Sequence, residues 1–533
     1  MSGDLYLLEL ATLHIFDRIP TDMERARHLL RSSVAVIALF ALGKIVGLFR
    51  ARLVAQTFGT SPEFDAFTAA NQLPEVFFVV IAGGSLAAAF IPIYSQYLNY
   101  ESRADSARFA NTVLTLVLLV LGGISALGAI FAPWLVRHVL VPDFPPEQQL
   151  LTAQIMRVIL IQTTIFGIGG VLSSILNAHQ HFILPALATI ALDIGYFIGL
   201  FAFVPSLGVI GLAWGTVVGG ILFVLIQLPA LLKFGVHLRQ QLDTRMRGVH
   251  ELVRLMGPRI VTLGVIQLAD LIIIRLASGL PAGATSGYFY GYGLMQFPQT
   301  LFGTAIAMVV FPTLAELYNA RAIDGLRQMA ANTLGIIWTL TIPAAAATIL
   351  LGRPIIVFLF QGGAFDEKAT TLVYTVLAVL SIRIVSESTL EIVARLFYAR
   401  HNTLVPMLAY IGWFGFTGTA SVILANRLGV VGLALASAIG FTLLAAALFE
   451  LNRRELGGLG GRPLQMTFLR ALVGTIVMSA MIIMLSRVIT ETVPYLMVSL
   501  LLGGLTYIAV TWLLGGRELS ALWQIARGKA TPS

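Results

Sequence analysis

The chain alternates long apolar runs with short polar or charged links, and the runs show no strict period-two alternation. Runs of about 20 residues match the thickness of a lipid bilayer when helical, so the pattern predicts spanning helices rather than barrel strands. Fourteen spans are expected, near 31–57, 64–98, 107–137, 149–178, 182–204, 209–232, 255–278, 285–316, 328–351, 369–399, 403–425, 429–450, 468–487 and 494–516. Several exceed what a bilayer requires, which predicts tilt or extension beyond the lipid. Pro74, Pro92, Pro133, Pro298, Pro312 and Pro343 lie inside or beside spans and predict bends.

Composition sharpens this picture. Hydrophobic residues make up 57% of the chain and charged residues 11%, with mean hydropathy +0.88, whereas a soluble domain carries about 25% charged residues. The expected fold class is therefore an all-α polytopic membrane protein, because lipid leaves only helices and closed barrels able to satisfy their backbone groups. There is no cysteine, which excludes disulfides, thiolate metal sites and a cysteine nucleophile. No HExxH, P-loop or GxSxG pattern is present, so no enzyme site, metal or cofactor is expected. The first 30 residues carry Asp4, Glu9, Asp17, Asp22 and Glu24 and lack a secretory cleavage pattern.

The net charge of +8 is informative through its placement. With the amino terminus in the cytoplasm, the cytoplasmic segments hold 21 basic residues and the outer loops 5. The positive-inside rule selects that orientation, with both termini cytoplasmic. Topology and anionic lipid thus account for the basic excess, and nucleic acid is not an expected partner.

Shifting the sequence by 221 residues superposes LGVIGLA at 207–213 on LGVVGLA at 428–434, Pro185 on Pro406, Pro133 on Pro354 and Phe144 on Phe365; Pro92 meets Pro312 at 220. The repeat unit holds six spans, an even number, so its copies share orientation and relate by a pseudo-two-fold along the membrane normal. The expected organisation is an amino-terminal extension (1–30), a first lobe (31–234), a basic cytoplasmic linker (235–254), a second lobe (255–453), an appended pair of spans (454–516) and a cytoplasmic tail (517–533). A duplicated bundle with inward charges is the architecture of alternating-access transport, duplication kept for structure alone being the plainer reading.

Charges inside spans are the candidate chemistry, since each costs roughly 3 kcal/mol at mid-bilayer unless compensated. Span 1 carries Lys44, Arg50 and Arg52, with Asp65 and Glu75 at the start of span 2 as candidate counter-charges. Such cations suit an anion site, arginine through its bidentate fork. Snorkelling of Arg52 and helix capping by Asp65 are the structural alternatives. Span 10 carries Arg383, Glu387, Glu391 and Arg395 four residues apart, on one broad helical face. That spacing fits a self-neutralising ladder or a coupling-ion path. Asp270, Arg275, Asp193, Arg157 and Arg259 are more isolated, and His179 and His181 fall at a loop.

The segments KIVGLFRARLVAQTFG, FDAFTAANQLPEVF, AAAFIPIYSQY, LNAHQHFILPA, LMQFPQTLFGTAIAMVVFPTLAE, VFLFQGGAF and FYARHNTLVP occur in an order that resembles the MurJ (MviN) lipid II flippase family of the MOP exporter superfamily, over about residues 30 to 520. The resemblance implies a non-enzymatic transporter that moves lipid II, an undecaprenyl-pyrophosphate-linked disaccharide-pentapeptide, across the bacterial cytoplasmic membrane through a cationic cavity. Spans 13–14 would then form a lipid-tail groove. Implied partners are lipid II, membrane lipids, and cell-wall synthesis and division proteins. The family's span 1 arginine falls on Arg50, a second basic position on Lys44, and its span 2 acid on Asp65. Other family charges fall on Phe78, Gly83, Tyr292, Gly293 and Gln296, and span 11 has no acid between Thr403 and Asn426. Asp270, Arg275 and the span 10 ladder are candidates to replace them, Gln296 marking the second-lobe cavity. A flippase for another polyprenyl-linked glycan, a drug exporter of the same superfamily, and a transport-dead scaffold stay open at this stage.

Overall fold

The computed structural model describes residue 39 and residues 42–82, 84–234 and 239–516. The terminal extensions, Gly83 and the first residues of the linker lie outside them. Among the described residues all the regular secondary structure is helical, with one isolated bridge between Gly362 and Phe365.

Eleven helices are long and apolar enough to cross a membrane, and twelve when the pair Glu367–Leu380 and Ile382–Ala399, bent by 40°, is one span. The two further spans expected correspond to the helical residues 42–58 and to helix Arg247–Ala277, so the count of fourteen is not reached among the described residues. Exposed faces are apolar, as on helix Gly461–Ser486 with Leu469, Val473 and Ile476, which fits a lipid surround in which every backbone group is satisfied within its own helix.

Helix starts follow from local chemistry. Ser61 caps the second span by accepting a hydrogen bond from Phe64 N, Pro62 occupies the first turn, and Glu63 and Asp65 favour the positive end of the helix dipole. The bends expected from prolines are taken up partly by π turns. One at Phe78–Ala82 follows Pro74, one at Val136–Leu140 follows Pro133, and one at Thr300–Thr304 follows Pro298.

The 221-residue repeat is reproduced in backbone geometry. Gly208 (φ 58°, ψ −142°) and Gly429 (φ 60°, ψ −140°) start the sixth and twelfth spans. Gln180 (φ 58°) and His401 (φ 59°) adopt the same left-handed conformation after spans 4 and 10. The closing bonds match as well: His181 N donates to Leu176 O, and Asn402 N to Phe397 O. Both are the six-to-one bonds of a helix C-cap.

Packing divides the chain into two compact units. Among the described residues, one gathers those up to Arg50, those of Ile81–Gly123 and those of Ile161–Met256; the other holds Ala51–Val80, Ile124–Leu160 and the described residues from Gly257 onward. In the first unit, spans 5 and 6 meet through glycines: a Cβ on Gly199 would lie 2.6 Å from Gly215 Cα, and one on Gly219 2.8 Å from Leu192 O. Small residues let helix backbones approach closely where lipid supplies no hydrophobic drive. A Gly215→Val variant is therefore expected to lose about 1–3 kcal/mol of stability, read as a lower melting temperature of the purified protein in detergent. In the first unit the linker is also tied to span 3, with Arg239 N donating to Asn111 Oδ1 (3.0 Å), Asp243 N to Thr112 Oγ1 (3.3 Å) and Arg108 paired with Asp243 (2.5 Å). In the second unit, spans 13 and 14 pack on span 9, where Leu351, Met478, Ile482 and Leu496 form a core and Tyr507 donates to Thr339 O at 2.6 Å.

Candidate functional site

In the first unit, Lys44 is exposed and forms no ion pair among the described residues. Arg50, two turns further along the same helix, is half-buried. Its Nε lies 3.2 Å from Asp193 Oδ1 on span 5, and its guanidinium carbon stands 4.4 Å over the Tyr196 ring. The carboxylate beside Arg50 is thus Asp193 rather than Asp65 or Glu75. Asp193 is the single charge in helix Ile183–Leu207, the signal that a partner was required. Which buried cation it meets depends on helix rotation, which sequence does not display.

Arg52 belongs to the second unit, and its Nη1 donates to Phe358 O at 2.9 Å, at the last turn of helix Ile323–Leu359. A cation on terminal carbonyls complements the helix dipole. Arg275 makes the corresponding tie: its Nη1 donates to His138 O (2.6 Å) and Val139 O (3.0 Å). Each repeat thus sends an arginine from the end of its first helix to carbonyls ending the other repeat's third. Arg157 likewise donates to Ala129 O at 2.9 Å. The side chain of Arg259 lies outside the described residues.

Asp65 is buried, and both its oxygens are engaged, Oδ2 accepting from Gly283 N at 2.6 Å and Oδ1 from Ser286 N at 2.7 Å. Gly283 is the N-cap of helix Ala284–Gln299, has φ 90° and offers no capping side chain. Asp65 therefore caps a helix whose first residue is 219 positions away, filling donors that a helix start leaves open and placing a negative charge at its positive end. Replacing it by alanine strands two buried N–H groups. Asp65→Ala is expected to cost about 2–4 kcal/mol, with Asp65→Asn losing less, both measured by thermal unfolding in detergent.

The span 10 residues pair within themselves. Arg383 donates to Glu387 Oε2 through Nη2 (2.8 Å) and Nε (3.2 Å), and Arg395 pairs with Glu391. Arg383 is enclosed further: Nη1 donates to Ser437 Oγ at 2.8 Å, and its guanidinium lies 3.9 Å over Phe441 and 5.1 Å from the Tyr292 ring centre. Gln296 Nε2 donates to Tyr292 Oη (2.7 Å) and to Glu387 Oε1 (3.4 Å). Asp270 feels Arg383, Glu75 and Glu387 electrostatically. Asp270 is half-buried and Glu75 is exposed. In the second unit the structure thus gathers Glu75, Asp270, Gln296, Arg383 and Glu387; it does not bring Arg275 to them.

A model of the family described as lipid II flippase MurJ matches residues 54–504. The chain belongs to the MurJ family. Among relatives, the lipid II flippase MurJ of Burkholderia cenocepacia is 29% identical over 454 residues, covering 84% of this chain and 88% of its own. The probable lipid II flippase MurJ of Bdellovibrio bacteriovorus is 28% identical over 448 residues, covering 82% and 84%. Among solved structures, a lipid II flippase MurJ in an inward closed conformation superposes with TM-score 0.76 at 22% identity, covering 91% of this chain and 98% of that one. An inward-facing multidrug MATE transporter of the MOP superfamily superposes at 0.65 with 16% identity, covering 80% and 98%. These likenesses establish a MurJ-type MOP fold. Lys44, Arg50 and Arg52 precede the stretch matched by the MurJ model, so their roles are argued from their own surroundings.

Proposed function

We propose that this chain is a lipid II flippase, carrying an undecaprenyl-pyrophosphate-linked disaccharide-pentapeptide from the cytoplasmic to the outer leaflet of the bacterial inner membrane by alternating access. One observation carries the reading: the family match spans residues 54–504, the first repeat from the end of its first span, the whole second repeat and most of the appended pair, rather than one module. The task is physical. A pyrophosphate-sugar headgroup cannot enter hydrocarbon unaided, because each unpaired polar group costs several kcal/mol there. Lys44 and Arg50 supply cationic donors for the pyrophosphate, while the polyprenyl tail stays in lipid. A negative cell interior favours outward movement of an anion by roughly 2.3 kcal/mol per charge per 100 mV, which gives direction without ATP. The excess of basic residues in the segments assigned to the cytoplasm supports a cytoplasmic position for both termini. No covalent step is involved, so the chain is a transporter rather than an enzyme. Wall-synthesis and division proteins are the partners expected on this reading.

The neutral side chains Tyr292 and Gln296 favour one variation, a headgroup other than that of lipid II on the same carrier. Proteoliposomes loaded with lipid II, or with another undecaprenyl-pyrophosphate-linked glycan, separate the two by headgroup accessibility at the opposite leaflet. Movement of lipid II supports the proposal. Movement of the other glycan alone replaces it with the variation, and movement of neither, with correctly folded protein, ends both.

A further inference from the structure

The pairing of Arg50 with Asp193 raises a question of grip and release. The pair meets at Arg50 Nε and Asp193 Oδ1, 3.2 Å apart, and no ion pair or hydrogen bond of Arg50 with another residue forms among the described residues. Arginine has five N–H donors, more than one carboxylate contact uses, and those on the terminal nitrogens make no hydrogen bond to any other residue among the described residues. The side chain of Arg50 is 33% exposed, that of Asp193 12%. The holder is well defined. Gly43 and Gly47 lie on the face of span 1 toward span 5: a Cβ on Gly43 would stand 3.5 Å from Ile190 Cγ1, and one on Gly47 3.7 Å from Asp193 Oδ2. Tyr196, three residues beyond Asp193, supplies the ring beneath the guanidinium. A carboxylate edge and an aromatic face, one helical turn apart, thus fix Arg50 in one orientation.

We infer that Asp193 is a positioning residue for transport: it holds Arg50 by Nε with the terminal nitrogens presented to an anionic phosphate headgroup, and its own charge weakens that grip enough for release. The inference rests on the flippase reading and deepens it. A pyrophosphate on the terminal nitrogens uses the bidentate fork that suits phosphate oxygens. It then sits within several ångströms of a carboxylate of like sign, in a partly desolvated place where screening is weak. An arginine without that neighbour would bind the headgroup more tightly and let it go more slowly. Asp193 also prevents Arg50 from standing as an uncompensated cation when no substrate is bound, which an apolar membrane interior penalises.

The experiment measures lipid II flipping against lipid II concentration in proteoliposomes containing the full chain, for the wild type, Asp193→Asn and Asp193→Glu. Asp193→Asn is expected to lower the half-saturating lipid II concentration about tenfold, from removal of one like charge, and to reduce the maximal rate. Asp193→Glu, which restores the charge, is expected to return both toward wild type. A merely structural aspartate would lower the maximal rate and the melting temperature without tightening binding. An unchanged or raised half-saturating concentration in folded Asp193→Asn overturns the inference. Asp193→Ser, neutral and smaller, repeats the test with the same two outcomes should the asparagine variant not accumulate. A wild type that neither binds nor moves lipid II overturns the flippase reading and this inference together; a wild type that does, beside an unresponsive Asp193, overturns the inference alone.

Discussion

Arg50→Ala is expected to insert in the membrane and to melt within a few degrees of wild type, while failing to rescue cells depleted of their own flippase. The reasoning starts from its surroundings. Arg50 is half-buried and is held by one carboxylate and one ring, so its loss removes a single charged pair. The remaining Asp193 can take up water through the space vacated. For transport the loss is much larger, since a charge-assisted bidentate contact to phosphate is roughly twice as strong as a neutral hydrogen bond. Arg50→Lys keeps the charge but not the fork, and is expected to rescue only in part. Rescue by Arg50→Ala at wild-type protein levels would remove Arg50 from the substrate site. Expression level and melting temperature, measured beside the rescue, separate failed transport from failed folding.

Glu387→Ala is expected to cost about 3–5 kcal/mol, because it leaves the Arg383 guanidinium buried without its anion. Arg383 and Glu387 side chains are 5% and 15% exposed, and the two rings flanking the guanidinium cannot replace a carboxylate. Replacing both residues with apolar ones of similar volume, as in Arg383→Met with Glu387→Leu, is expected to restore most of the loss, since a buried ion pair adds little net stability over well-packed hydrophobic groups. A double-mutant cycle on thermal unfolding reads the coupling directly. Additive losses would show that the two side chains do not stabilise one another. Flipping measured on the stable double variant then tells whether the pair has a part in transport beyond holding span 10 in place.

Local features were legible in the sequence, and distant ones were not. The span 10 pairs could be read because four residues on a helix always bring side chains together, and the structure forms two of them, Arg383 with Glu387 and Arg395 with Glu391. The repeat could be read because a doubled chain leaves the same turn residues at a fixed offset, as Gly208 and Gly429 show. The partner of Arg50 could not. Asp193 stands on another helix, and a rotation of either helix by a fraction of a turn would present a different residue. Asp65 was harder still, because its partners are the amides of Gly283 and Ser286. Backbone donors carry no side-chain signature, so matching charges with charges pointed toward the cations of span 1 instead. The partners of Arg52 and Arg275 are hidden for a related cause: both satisfy helix carbonyls, which every residue possesses and no motif marks.

Asp65 and Ser286 are 221 residues apart, the offset of the repeat itself, so the bond joins a position to its own counterpart. In an assembly of two separate identical chains, such a point would confront a residue with itself, aspartate against aspartate, and two carboxylates would repel there. Joining the copies end to end frees each to specialise, one keeping the acid and the other offering a bare helix start. With aspartate at both positions the two carboxylates would stand close together beside that bond, so a reconstructed ancestor with equal halves is expected to carry another residue at that place.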